Sequence, residues 1–165
     1  MPIAKQQITP CLWFDKNAEE AANFYITIFK NSKITRVVRF GKAGQEVHGG
    51  KPGSVLAIDF ELDGQKFSGL NGGPHFKFSE AVSFQVPCET QEEIDYYWSA
   101  LSKGGSESDC GWLKDKFGLS WQVFPGRLLE MLRDSDREKA DRAMSAMMKM
   151  SKIDLATIER AYEGK

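Results

Sequence analysis

Histidine is scarce in this chain: there are two, His48 and His75, among 165 residues. Cysteine is nearly as rare, with three (Cys11, Cys88, Cys110), an odd number without CxxC spacing. That pattern argues against both a disulfide framework and a thiolate zinc site, and it favours reduced thiols in a cytoplasmic setting. Charge of either sign is not in excess, since 22 Lys and Arg stand against 23 Asp and Glu for a net −1. A nucleic-acid or anionic-membrane footprint is therefore not expected. No apolar run approaches the length of a membrane span, and MPIAKQQITP has no apolar centre of the secretory kind. No G-x-G-x-x-G turn occurs, which removes the usual nucleoside-cofactor cradle. The expectation is a soluble, cytoplasmic protein with no membrane or nucleic-acid partner.

What is present is a pattern written twice. Ile8 to Phe14 reads as a strand, and Asn17 with Glu20 has the form of a capping box. The apolar residues Ala21, Phe24, Tyr25, Ile28 and Phe29 then recur at helical spacing. Ile34 to Phe40 is a β-branched run, and the glycine-rich segment 41–53 reads as a loop. Val55 to Leu62 alternates as a half-buried strand and returns through the Asp63-Gly64 turn along Gln65 to Asn71. Shifted by 73 positions, Asn17, Glu20, Tyr25 and Ile28 become Thr90, Glu93, Trp98 and Leu101. Ala81 to Pro87 supplies the strand before that helix. Cys110 to Lys114, the turn 115–118 and Leu119 to Phe124 supply the return. Strand, helix and three strands, repeated, predict an α+β fold of two βαβββ modules, at about residues 7–71 and 78–124. Beyond Pro125 three helical stretches follow, opened at Gly126, after Ser135-Asp136 and after Asp154, and they form a tail over 126–165.

The strings CLWFDKNAEEAANFYITIFKNSKI, FSGLNGGPHFKFSEAVSF and CGWLKDKFGLSWQVFP closely resemble the PhnB-like family. That family belongs to the vicinal oxygen chelate superfamily of glyoxalases, bleomycin-resistance proteins and extradiol dioxygenases. The likeness runs from Gln7 to Pro125. It implies two modules whose sheets curl around a cleft, with metal ligands, in members that use a metal, on the first and last strands of each. Carried over, those positions fall at Thr9-Pro10, Ser68, Ala81 and Gln122, of which one is a plausible amide ligand and none a strong one. No metal and no other cofactor is therefore expected. The family's frequent methyltransferase description is set aside, because the repeat predicts a different fold from a nucleoside-binding one.

Aromatic residues on or beside strands, among them Trp13, Phe67, Phe76, Phe78, Phe84, Trp112, Trp121 and Phe124, are expected to face the ligand cleft. Asn71, His75, Ser68 and Gln122 could supply polar contacts. The candidate ligand-binding set is thus Trp13, Ser68, Asn71, His75, Phe76, Trp112, Trp121 and Gln122, with no catalytic residue assigned. A nucleophilic role for Cys110 or Cys11 lacks an electropositive partner in the sequence and is set against inert packing. The reading is a binder of a small aromatic or hydrophobic molecule. The alternative is a divalent-metal-dependent lyase, isomerase or dioxygenase. The Met-rich tail (Met144, Met147, Met148) and the sheet edges predict a homodimer.

Overall fold

A computed structural model of the chain describes residues 8–165. Its contacts gather into two compact units, one ending at Lys77 and the other running Phe78–Lys165. Each unit holds one four-stranded sheet of mixed direction and one principal helix against it.

The first sheet has the order β1-β4-β3-β2, from β1 (Cys11–Phe14), β2 (Lys33–Arg39), β3 (Val55–Leu62) and β4 (Gln65–Asn71). β1 pairs parallel with β4, and the other pairs are antiparallel. Helix α1 (Ala18–Ile28) buries Ala18, Ala21, Ala22, Tyr25 and Ile28 on one stripe. Opposite it, the alternation of β3 puts Ile58, Phe60 and Leu62 under the helix and leaves Ala57, Asp59 and Glu61 on the other face. Fully burying side chains of this size contributes roughly 1.5–3 kcal/mol each. Tyr25 lies over Phe60, which stacks on Phe67 with ring centroids 5.5 Å apart.

Asn17 stands at the N-cap of α1, yet its side chain makes no capping bond. Asn71 does the work from the far end of β4: its Oδ1 accepts the Ala18 N–H at 2.9 Å, and its Nδ2 donates to the Val55 carbonyl at 3.0 Å. The expected Asn17–Glu20 box is corrected accordingly. The segment 41–53 is also more structured than a plain loop. It carries a short helix, α2 (Gln45–His48), between two left-handed glycines, Gly44 and Gly49. His48 Nδ1 accepts the Gly50 N–H at 3.0 Å, its Nε2 lies 3.1 Å from the Ala43 carbonyl, and its ring rests on Phe40.

The second sheet has the order β5-β8-β7-β6, from β5 (Ser83–Cys88), β6 (Ser106–Glu107), β7 (Trp112–Lys114) and β8 (Ser120–Pro125). β5 begins at Ser83 rather than at Ala81. Helix α3 (Gln91–Ser102) is capped as its sequence predicts, for Thr90 Oγ1 accepts the Glu93 N–H at 3.3 Å. The reciprocal bond from Glu93 goes one residue further back, to the Glu89 N–H, at 2.8 Å. Ile94, Trp98 and Leu101 are its buried stripe.

Three further helices, α4 (Gly126–Leu132), α5 (Arg137–Met147) and α6 (Leu155–Glu163), pack onto this same unit. The segment between α5 and α6 is pinned to it: Met150 and Ser151 carbonyls accept the N–H groups of Cys110 and Gly111 at 2.7 and 2.8 Å. Gln91 holds the Ile153 carbonyl and the Leu155 N–H. Ile153 and Ile158 are fully buried. Gly111 is required at that junction, since its φ is +81° and a Cβ there would stand 2.5 Å from the Val123 carbonyl oxygen. No helix among the described residues is long and apolar enough to cross a membrane.

Candidate functional site

Each sheet has one face under its helix and one face free of it, and strand alternation decides which side chains reach the free face. In the first unit, Cys11, Ser68, Asp59 and Arg36 form one register row there, and Trp13, Leu70, Ala57 and Val38 the next. In the second unit, Ser106, Lys114, Ser120 and Ser83 share one row, and Trp112, Gln122 and Gln85 share another. The intervening row, Glu107, Leu113, Trp121 and Phe84, belongs to the helix side, because Glu107 Oε1 accepts the indole N–H of Trp98 from α3 at 2.9 Å.

The free face of the first sheet holds a concavity of about 490 Å³ lined by Thr9, Thr35, Arg36, Asp59, Lys66 and Ser68, among others. Three of its polar groups, Arg36, Asp59 and Ser68, are already bonded to one another. Ser68 donates to Asp59 Oδ1 at 2.8 Å, and Arg36 Nε donates to Asp59 Oδ2 at 2.8 Å. Arg36 is largely exposed, so this pair contributes at most about 1 kcal/mol. A ligand here would have to compete with a self-satisfied network.

The second sheet differs. A concavity of about 460 Å³ is lined by Glu80, Ser106, Glu107, Ser108, Asp109, Cys110, Trp112, Leu113, Lys114 and Ser120. Ser120 is 1% exposed, and its hydroxyl is a buried side-chain group with no hydrogen-bond partner. Leaving a buried hydroxyl unpaired costs about 1–3 kcal/mol, and such a group calls for a partner that the chain does not supply. Beside it, Trp112 is half-buried, and its indole makes no ring contact or side-chain hydrogen bond among the described residues. Lys114 pairs with Glu80, and this hydrogen bond holds the Glu80 carboxyl below its ordinary 4.5. Cys110 sits at the rim in the left-handed region (φ 58°), its Sγ 3.6 Å from Met148 Sδ.

The sequence-predicted residues divide between the two units. Trp13 and Phe76 meet edge to face, with centroids 4.8 Å apart, and the Trp13 N–H donates to the Gly73 carbonyl at 2.8 Å. Gly72 makes room for that indole, since a Cβ there would stand 2.2 Å from the ring. Phe76 is 65% exposed, and His75 lies in the turn beside it. Ser68 belongs to the Asp59 network. Asn71 is buried, with its amide committed to Ala18 and Val55, so its role is structural.

In the second unit, Trp112 and Gln122 are register partners on the free face. Gln122 donates to Ser83 Oγ at 2.8 Å and accepts from Gln85 at 3.5 Å. Trp121 lies on the helix side instead, 2% exposed, its N–H donating to Asp115 Oδ2 at 2.9 Å. Phe84 packs on it there, and Phe67 is likewise in the core of its own unit. Ser120 escaped the sequence reading. Period-2 alternation back from Gln122 puts it on the same face, but nothing in the sequence marks it as unpaired.

The four strand positions that the resemblance assigns to metal ligands do not fit an ion. They hold Thr9-Pro10, Ser68, Ala81 and Gln122, with neither imidazole nor carboxylate. Among the described residues no group of three His, Cys, Asp or Glu is gathered for a metal. The cysteines are free thiols; burial, with the nearby Glu93 charge, pushes the Cys88 thiol up to about 12.

Residues 6–124 match the family model described as 3-demethylubiquinone-9 3-methyltransferase. Among solved structures, the chain is 38% identical to a putative 3-demethylubiquinone-9 3-methyltransferase, PhnB protein, from Bacillus cereus. That likeness covers 71% of this chain and 97% of that one, with a TM-score of 0.63. A protein from Pseudomonas aeruginosa is 19% identical over 71% of this chain and 95% of that one, with a TM-score of 0.56. The genomically encoded fosfomycin resistance protein FosX from Listeria monocytogenes is 15% identical. It covers 80% of this chain and 100% of its own, with a TM-score of 0.53, and speaks for the fold alone. None of the curated proteins matches the chain.

Proposed function

The chain belongs to the PhnB-like family described as 3-demethylubiquinone-9 3-methyltransferase, with a fold of the glyoxalase/bleomycin-resistance type; from that membership we propose that it binds a small organic molecule with an aromatic or hydrophobic body. The site is the concavity on the free face of the second sheet, and binding there uses no metal ion of the protein's own. The observation that carries this reading is the unpartnered hydroxyl of Ser120, buried at the floor of a 460 Å³ hollow beside an unstacked Trp112. Small-molecule pockets fall in this size range, and they combine apolar walls with a few polar groups in search of a partner. A ligand oxygen or nitrogen bonded to Ser120 would relieve the cost of the buried hydroxyl, and a ring against Trp112 would supply apolar contact.

The family's descriptive name implies methyl transfer, and the architecture lends that activity no support. Both sheets are mixed rather than doubly wound and parallel, and no glycine-rich strand-to-helix turn is present to cradle a nucleoside cofactor. Metal-dependent lyase, isomerase or dioxygenase chemistry would need donors that the four strand positions lack.

The test is a titration of the protein with the neutral probe N-phenyl-1-naphthylamine after dialysis against EDTA, with elemental analysis alongside. Saturable one-to-one binding that survives dialysis and weakens in Trp112→Ala is the expected result. Absence of saturable binding, or binding that appears only when Mn²⁺ or Zn²⁺ is restored, would overturn the reading.

A further inference from the structure

The free-face row that contains Ser120 is a row of donors. Register places Lys114 between Ser106 on β6 and Ser120 on β8, and all three line the hollow. Asp115 N–H donates to the Leu119 carbonyl and Val123 N–H to the Gly111 carbonyl, so the bonded pairs of β7 and β8 fall at odd-numbered residues. Lys114 and Ser120 therefore form a non-hydrogen-bonded pair, the closer kind, with Cα atoms about 4.5 Å apart, and Trp112 and Gln122 form the next. An ammonium, a buried hydroxyl without a partner and an indole thus stand side by side on one face. Of the carboxylates at the hollow, one meets this row. Glu107 belongs to the helix side with Trp98, and Asp109 precedes β7 at the end away from Lys114, where Ser151 donates to it at 3.3 Å. Glu80 pairs with Lys114 from the turn just before β5. Its side chain is 63% exposed, so the pair is weak and water can take the carboxylate over.

We infer that the preferred ligand class of this site is a carboxylate carried on an aromatic or apolar body, with Glu80 as its intramolecular competitor for Lys114. The inference rests on the binding reading above and narrows it. A bound carboxylate accepts from Lys114 with one oxygen and from the Ser120 O–H with the other, its body lies along Trp112, and Glu80 is released to water. Both new bonds are charge-assisted, and the one to Ser120 gives a partner to a hydroxyl that Glu80 leaves unpaired.

Biphenyl-4-carboxylate, its carboxamide and biphenyl-4-ylmethylammonium test it, since the three share one apolar body and differ in charge. Each is titrated by displacement of N-phenyl-1-naphthylamine from the full chain. The carboxylate should bind at least about tenfold more tightly than either of the others, as expected where charge-assisted bonds replace neutral ones. Glu80→Gln removes the competitor and should tighten the carboxylate about two- to fivefold relative to the carboxamide. Lys114→Gln should erase the preference, and 0.5 M NaCl should shrink it. The comparison within the unaltered protein stands whether or not those variants fold. A carboxylate that fails to displace the probe, binds no better than the carboxamide or the ammonium, or gains nothing in Glu80→Gln would overturn the carboxylate inference and leave the binding reading intact. If the probe itself does not bind saturably, or Ser120→Ala and Trp112→Ala change nothing, the binding reading fails, and the carboxylate inference with it.

Discussion

Replacing Asp115 by alanine should unseat the loop that delivers Ser120 to its place. The carboxylate is 2% exposed and accepts three hydrogen bonds. Its Oδ1 takes the N–H groups of Phe117 and Leu119 at 2.8 and 3.1 Å, and its Oδ2 takes the Trp121 indole N–H at 2.9 Å. Hydrogen bonds to a charged group contribute about 1.5–3 kcal/mol each. The Phe117 donor is partly wet and recovers some of its loss from water, and the alanine variant escapes the desolvation of the carboxylate. These offsets reduce the sum to about 3 kcal/mol, a large share of the 5–15 kcal/mol typical of a whole domain. Asparagine retains an acceptor for the two backbone donors but points an amide N–H₂ at the indole N–H, so about 1.5–2 kcal/mol should be lost. Urea unfolding, followed by tryptophan fluorescence, measures both. In a chain of this length, 3 kcal/mol corresponds to a fall in Tm of roughly 6–12 °C. A loss below 1 kcal/mol for Asp115→Ala, or an asparagine variant as stable as the parent, would refute the clamp.

Asn71→Ala removes the bonds to Ala18 and Val55, and thermal melts should register a loss of about 2 kcal/mol. Ser120→Ala should act in the opposite direction on the free protein, raising its stability by about 1 kcal/mol because an unpaired hydroxyl is deleted, while probe affinity falls. The Cys88 thiol is raised above its ordinary 9.0 to about 12, so the folded state holds its proton more tightly than the unfolded chain does. The stability it contributes is complete below pH 9 and is lost as pH rises toward 12, and urea melts of Cys88→Ala should show a flatter decline over that window. In the native protein an aromatic disulfide reagent should label exposed Cys11 quickly and buried Cys88 only on unfolding.

The βαβββ repeat was legible because both kinds of periodicity are local. Val55–Leu62 and Gln65–Asn71 form strands with the bounds their alternation and the Asp63-Gly64 turn predict. The Thr90 cap, likewise, depends on residues three apart. The Asn17 cap was misread because its substitute, Asn71, lies 53 positions beyond Ala18, and a single sequence carries no sign of that pairing. The two-residue β6 was too short to produce any alternation. Trp112 and Gln122 are register partners on the free face, whereas Trp121, expected beside them in the cleft, is not on that face. Trp121, one position before Gln122 and paired with Leu113, points to the other side, because side chains alternate along β8. Ser120 stayed hidden for a physical reason: an unsatisfied hydroxyl is a property of its surroundings, whereas serine itself is common in strands and turns.

A crystal structure of the chain grown with the tightest aromatic ligand found by displacement of N-phenyl-1-naphthylamine tests the central claim most directly. The account predicts ordered ligand density over Trp112. Any acceptor atom the ligand carries should lie within hydrogen-bonding distance of Ser120 Oγ. Ligand density on the Arg36–Asp59–Ser68 face, or an empty hollow in which Ser120 donates to a carbonyl of its own chain, would contradict it.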